Sequence, residues 1–262
     1  MPERVLLTGS SGSVGRMISP HLAAQVTVRG FDLLAPQPSR DDGADSVVEH
    51  VTGSILEPAQ LAVALEGVDA VVHLAGIPGE AAWNDLLRVN IDGTHAVLEA
   101  ARLAGVRRIV LASSNHAVGF VAREQASIPS DLPPQPDSFY GVSKAAGEAL
   151  GHLYHRRYGM DVVSIRIGTA EPLPPTVRSL ATWISPRDLA GLVVAAIRAP
   201  SPLDAVVWGM SANANSPFSL DSGRALGYLP YDDARRVAAE LGLTLAPESE
   251  ADRRFVGGDF TT

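Results

Sequence analysis

Short runs of consecutive apolar residues alternate along the chain with longer stretches of helical periodicity. The runs are Val5-Leu6-Leu7, Val26-Thr27-Val28, Val47-Val48, Ala70-Val71-Val72-His73-Leu74, Ile109-Val110-Leu111-Ala112 and Val162-Val163-Ser164-Ile165. Segments this rich in β-branched residues, apolar at nearly every position, suit strands of a parallel sheet covered on both faces. The stretches with helical period cover residues 12–24, 57–65, 81–104, 138–158 and 186–198. Strand–helix alternation of this kind predicts a doubly wound α/β sheet whose crossovers are right-handed.

Beyond about residue 170 the pattern loosens. Residues 171–175 carry three prolines, which fit neither a central strand nor a helix interior. Val206-Val207-Trp208 predicts one more strand, 211–230 a polar loop punctuated by Gly and Pro, and 231–241 a last helix. No repeat or linker marks an independent second domain. The expectation is one Rossmann-type domain over residues 1–262, with a core over about 1–168 and a smaller cap over 169–262. The cap would lie above the carboxyl ends of the strands, where open α/β sheets bind ligands.

Composition narrows the function. With 262 residues and 46% of them apolar, the chain can bury a sizeable core. It has no cysteine, which removes disulfides, thiol nucleophiles and zinc–cysteine sites together. No His/Asp/Glu cluster has metal-ligand spacing, so no metal is expected. The net charge of −8, without any Lys/Arg block, argues against nucleic acid or an anionic membrane as partner. No apolar stretch reaches the ~20 residues that span a bilayer. The first apolar run ends at Thr8-Gly9, too short for an export signal, so a cytoplasmic location is expected.

The first candidate site is Thr8-Gly9-Ser10-Ser11-Gly12-Ser13-Val14-Gly15, between the first strand and the first helix. Glycines there permit a tight turn, close approach of a pyrophosphate and close helix–strand packing. The helix N-terminus adds free N–H groups and partial positive charge. Asp32 closes the next strand, near the ~20-residue spacing at which dinucleotide motifs place an acidic residue. A carboxylate there accepts both ribose hydroxyls and repels a 2′-phosphate. With Leu33-Leu34 following, NAD is favoured over NADP. Ala75-Gly76 would form a small-residue shelf beside the pyrophosphate, and Asn90, polar among apolar neighbours, a buttress.

Tyr140-Gly141-Val142-Ser143-Lys144 sets a phenol and an ammonium on one helix face. Tyrosine ordinarily titrates near ~10; a nearby cation would lower that value and make the phenol a usable base. Ser113-Ser114 ends the fifth strand, where a hydroxyl can hold a substrate oxygen against the phenol. Tyr140, Lys144 and Ser113 form a proton-abstraction unit for oxidising a carbinol.

Together these features resemble the extended short-chain dehydrogenase/reductases of the NAD-dependent epimerase/dehydratase superfamily. Longer runs are similar to the uronate dehydrogenases: Ala112-Ser113-Ser114-Asn115-His116 with Gly119, Arg166-Ile167-Gly168, Arg178, Thr182-Trp183, Val206-Val207-Trp208-Gly209 with Ser211-Ala212-Asn213, and Phe255-Val256-Gly257-Gly258. The resemblance spans almost the whole chain. It implies NAD-dependent oxidation of a hexuronic acid, glucuronate or galacturonate, at C1 to an aldarolactone. Tyr140 would be the base and Lys144 its partner. NAD would contact Gly9, Ser11, Gly12, Ser13, Val14, Gly15, Asp32, Ser54, Ile55, Leu74, Ala75, Gly76, Asn90, Tyr140, Lys144 and Ile167. Substrate contacts carry over to Ser114, Asn115, His116, Tyr140, Thr169 and Arg178.

Three positions depart from the family pattern. Pro78 replaces a substrate-contacting serine, Thr169 stands where serine is frequent, and Ser54 replaces an adenine-contacting aspartate. A uronate presents a carboxylate far from its reacting carbon, and Arg178 has the planar fork that grips one. Trp183 and Trp208 read as packing. The family also implies a homo-oligomer built on helices 81–104 and 138–158. Two alternatives stay open: a nucleotide-sugar epimerase or dehydratase, and a dinucleotide-binding sensor without catalysis.

Overall fold

The computed structural model describes residues 3–35, 49–125 and 127–261. The strands are β1 (Arg4–Thr8), β2 (Thr27–Asp32), β3 (Glu49–Thr52), β4 (Ala70–His73), β5 (Arg108–Ser114), β6 (Asp161–Ile167), β7 (Thr169–Ala170), β8 (Trp183–Ile184) and β9 (Asp204–Gly209). Among the described residues, seven of them form one parallel sheet in the order β3-β2-β1-β4-β5-β6-β9, while β7 pairs with β8. The helices are α1 (Ser13–Ala23), α2 (Pro58–Ala64), α3 (Trp83–Leu86), α4 (Gly93–Leu103), α5 (Phe139–Tyr158), α6 (Ser179–Thr182), α7 (Pro186–Arg198), α8 (Asp221–Ala225), α9 (Ala234–Glu240) and α10 (Glu250–Arg254).

Strand alternation sends successive residues to opposite faces. Val5 and Leu7 of β1 join Val28, Val72, Val110 and Val163 in a core closed by Ile18 and Leu22 of α1 and Leu189, Val193 and Ile197 of α7. Leu6 faces the other way, with Phe31, Val71, Ile109 and Leu111, under Leu61 of α2, Val97 and Leu98 of α4 and Tyr154 of α5. Each such side chain contributes roughly 1.5–3 kcal/mol by leaving water. Strand order reverses between β1 and β4, which opens a crevice at the strands' carboxyl ends. Both candidate motifs lie on that edge.

Local sequence sets the helix ends. Ser138 caps α5 by accepting from the Gly141 N–H at 3.0 Å, and Gly159 ends it at φ 67°. Ser185 caps α7 by accepting from Asp188 N at 3.0 Å, with Pro186 in the first turn.

The structure differs from the sequence reading in places. Val47-Val48 lies outside the described residues; the edge strand found begins at Glu49 and is only partly buried. The stretch 81–104 is broken by a wide π turn, Leu87–Asp92, between α3 and α4, which directs Asn90 inward. Within 211–230 the chain forms the short α8, where Gly223 lies against Tyr228. The division at residue 168 is not clean, because α7 and β9 return to the main core. Ile184 and Tyr228, from the stretches on either side of α7 and β9, also join that core. Among the described residues no helix is long and apolar enough to cross a membrane.

Candidate active site

The glycine turn is shaped for close approach. Gly9 has φ 74°, and a Cβ on it would lie 2.6 Å from the Ala75 backbone nitrogen. A Cβ on Gly15 would lie 2.2 Å from the Gly9 carbonyl oxygen, so the third glycine brings helix against turn. Gly12 caps α1 without a side-chain hydrogen bond, and no acidic residue sits in the first turn. The helix N-terminus therefore keeps its positive end for an anion.

Asp32 accepts from the Ser11 N–H at 2.9 Å and the Leu34 N–H at 3.2 Å. It borders a cleft of about 450 Å³ that Gly9, Ser11, Gly12, Ser54, Ile55 and Ala75 also line. Ser54 is partly engaged, because its hydroxyl accepts from Leu56 N at 3.1 Å. An uncapped helix end, a glycine cradle and a carboxylate in one cleft fit the phosphates and ribose of a dinucleotide. Leu74 and Gly76 line both this cleft and a second cavity of about 240 Å³, which Ser13, Val14, Ile167, Ser114, His116, Tyr140 and Lys144 border. The first cleft thus leads directly to the reacting groups.

Asn90 borders neither cavity. Its Oδ1 accepts from Ile77 N at 2.8 Å, and its Nδ2 donates to Ile77 O at 3.1 Å and Ser143 Oγ at 2.9 Å. The expected cofactor contact gives way to a buttress under the 76–78 turn, since a buried amide in a π turn satisfies itself on the nearest backbone.

Tyr140 and Lys144 point into the cavity from the first turns of α5, with the lysine nitrogen 5.5 Å from the phenol ring centre. Glu80 fixes that turn: its carboxylate accepts from Tyr140 N at 2.9 Å and Phe139 N at 3.3 Å, a favourable place for negative charge. Lys144 donates to the Ala112 carbonyl at 2.9 Å, and burial pushes its pKa down to about 8. The expected depression of the Tyr140 pKa by this cation is reversed. Burial raises it, and only the hydrogen bond from Ser114 opposes. Desolvation outweighs a cation held on a neighbouring carbonyl rather than on the phenol oxygen.

The serine beside the phenol is Ser114. Ser113 lines the cavity, but its hydroxyl donates to Glu148 at 2.5 Å. Glu148 is held by Arg166 through Nε at 2.9 Å and Nη2 at 2.8 Å. Two adjacent strand residues face opposite sides, so only one can meet the phenol.

His116 lines the cavity with its Nδ1 2.8 Å from Asp137. Asn115 donates to the Val256 carbonyl at 3.0 Å, and Arg178 Nη2 donates to the same oxygen at 2.6 Å. Arg178 therefore sits behind Asn115, largely buried, 3.3 Å from Asp252. It is not a wall of the cavity itself, and neither is Thr169, whose hydroxyl bonds Thr182 at 2.8 Å. The Thr169 hydroxyl expected to contact substrate is engaged with Thr182 here. Pro78 does border the cavity, at the position expected to lose a serine.

Glu80, Asp137, Glu148, Asp252 and Phe260 have no role in the sequence reading. Only the Asp137-Ser138 pair, just ahead of a predicted helix, carries a local capping signal; the others act across long separations in the chain.

Residues 5–171 match the model of the NAD dependent epimerase/dehydratase family. The chain is 36% identical to a uronate dehydrogenase of Pseudomonas putida, covering 98% of this chain and 95% of that one. It is 37% identical to an NAD-dependent glucose-6-phosphate dehydrogenase of Haloferax volcanii, over 92% of this chain and 97% of the other. The crystal structure of uronate dehydrogenase from Agrobacterium tumefaciens superposes with a TM-score of 0.88 at 35% identity, covering 99% and 96% of the two chains. A variant of that enzyme was crystallised with NAD at the same TM-score.

Proposed function

Because the chain belongs to the NAD dependent epimerase/dehydratase family, we propose that it is an NAD-dependent oxidoreductase that converts a hexuronic acid to its aldarolactone. The observation that carries this reading is the continuous path from the Asp32 cleft to Tyr140, Ser114 and Lys144, in a chain that aligns end to end with uronate dehydrogenases. NAD supplies the acceptor for a hydride when bound.

The residues divide the rest of the work. The glycine turn, the N-terminus of α1 and Asp32 hold the dinucleotide. Ser114 fixes the anomeric oxygen against Tyr140, which acts in its phenolate form, its own proton having left to solvent, and takes the proton of the anomeric hydroxyl as the C1–H bond breaks. The anomeric carbon of a pyranose already stands at the aldehyde level, so loss of one hydride and one proton yields the lactone directly. Lys144 places positive charge beside the phenol while the proton moves. Orientation of C1 between these groups supplies much of the acceleration.

Arg178 does not line the cavity and in this reading serves the far end of the sugar indirectly, by holding the Val256 carbonyl that also receives Asn115. Its guanidinium is desolvated behind Asn115, and its buried Nε, 3.3 Å from Asp252, makes no hydrogen bond. Arg178→Lys retains charge opposite Asp252 but loses the planar fork. We expect KM for the uronate to rise about tenfold, the equivalent of one charged hydrogen bond, with a smaller change in kcat. The apolar side chains left exposed on α3, α4 and α5, Trp83, Leu103, Phe139, Val142 and Leu153, support self-association through that face.

The reading is tested by mixing the protein with NAD and galacturonate or glucuronate and following the reduced dinucleotide. Reduction with uronates, and little with glucose 6-phosphate, arabinose or a UDP-sugar, supports it. Reduction by a neutral or phosphorylated aldose alone moves the substrate class, and reduction by none overturns it. A second reading, as an epimerase or dehydratase, has no specific observation in its favour.

A further inference from the structure

We propose that Asp137 is a positioning residue that fixes the His116 tautomer, leaving Nε2 as a hydrogen-bond acceptor for a hydroxyl of the bound sugar. The inference rests on the proposed aldose oxidation and deepens it, because it concerns how the same cavity recognises its substrate.

The Asp137 side chain is completely buried. It is wedged between two glycines: a Cβ on Gly119 or Gly257 would come within 1.8 or 1.6 Å of its Oδ2. No other residue fits at either place while the carboxylate stays. One carboxylate thereby joins three segments of the site. These are the turn after β5 that carries His116, the N-terminus of α5 that carries Tyr140, and the tail whose Val256 carbonyl receives Asn115 and Arg178.

Its two oxygens have different partners. Oδ1 lies 2.8 Å from the Ser138 hydroxyl, which accepts from the Gly141 N–H at 3.0 Å and so turns its own proton to Asp137. Oδ2 lies 2.8 Å from His116 Nδ1. An ionised carboxylate offers only lone pairs, so the proton of that bond sits on Nδ1. Rotation of the imidazole is opposed on both sides. Its face lies on Phe260 with centroids 4.1 Å apart, and Tyr140 meets its edge at 5.8 Å.

Nε2 has no protein partner among the described residues, and His116 borders the cavity beside the phenol. An acceptor there pairs with a sugar O–H and repels a keto oxygen or carboxylate. A polar site of this type discriminates strongly against an analogue that lacks the matching hydroxyl, because the buried group is then left unpaired.

Nitrogen-15 spectra of histidine-labelled protein read the tautomer directly. The expected result is a protonated Nδ1 and an unprotonated Nε2 for His116, whose Nε2 resonance moves on adding uronate. Asp137→Asn reverses the pattern. Its Oδ1 stays with the Ser138 proton, its amide nitrogen then faces Nδ1, and the imidazole proton moves to Nε2. Turnover per unit KM should fall about 10–100-fold, the range for leaving one buried polar group without its partner, with NAD affinity unchanged.

A wild-type His116 protonated on Nε2 overturns the proposal. So does a reversed tautomer in Asp137→Asn with kcat/KM within about twofold of wild type. Should that variant fail to fold, an Nε2 resonance in wild-type protein that ignores saturating uronate overturns it as well. Failure of the functional reading is distinguishable, since the wild-type protein would then reduce no NAD with uronate whatever the tautomer.

Discussion

Tyr140→Phe should lose about 10³–10⁴-fold in kcat while binding NAD as tightly as the wild type. The substitution removes one oxygen and little else. The ring keeps its edge contact with His116 and its place 5.5 Å from the Lys144 nitrogen. The Glu80 and Ser138 contacts that hold the first turn of α5 are to backbone N–H groups and survive. What disappears is the acceptor for the hydroxyl proton, the oxygen beside Ser114. Without it, the anomeric proton must go to a weaker or more distant base. Stopped-flow reduction of NAD and a separate titration of NAD binding separate the two effects. Near-normal turnover in this variant removes Tyr140 from the chemistry.

Arg166→Leu should destabilise the fold by about 3–5 kcal/mol, the range for removing one partner of a buried ion pair. Arg166 and Glu148 are both almost wholly buried and bond through two N–H···O contacts. The arginine also donates to the carbonyls of Ser130 at 2.8 Å and Leu132 at 3.0 Å. Leucine leaves Glu148 charged in the interior and strands two acceptors. For a chain of this size the melting temperature should drop by on the order of 10 °C. The double variant Glu148→Gln/Arg166→Leu should recover part of the loss, because no unpaired charge remains. Thermal unfolding of the two variants decides the point. Equal losses would mean that charge burial is not the dominant effect.

The two predictions bracket what could be read before the fold was known. The glycine turn, Asp32 and the Tyr140/Lys144 pair are legible because each works within one turn or one helix, where spacing fixes geometry. The alternation of strands and helices along the chain follows from the apolar runs for the same reason. The assignment of the serine does not follow, since Ser113 and Ser114 are chemically equivalent in sequence and only the strand's orientation sends one to Glu148 and the other to the phenol. Asn90 was recognisable as a buttress in need of a partner, but its partners, Ile77 and Ser143, were not. Thr169 and Arg178 lie near in sequence to the cavity and yet turn toward Thr182 and the C-terminal tail.

Electrostatics divides in the same way. Lys144 beside Tyr140 predicts a lowered phenol pKa from sequence proximity alone. Burial, a property of the assembled protein, sets the opposite sign. The amino-acid sequence by itself determined the doubly wound sheet, the dinucleotide turn and the phenol–ammonium pair, all products of short-range periodicity. Tertiary structure alone decided which serine meets the phenol and which carboxylate orients His116. It also brought Val256 and Phe260, at the far end of the chain, over the site. Those outcomes depend on desolvation and on contacts across more than a hundred residues of chain, which no local pattern encodes.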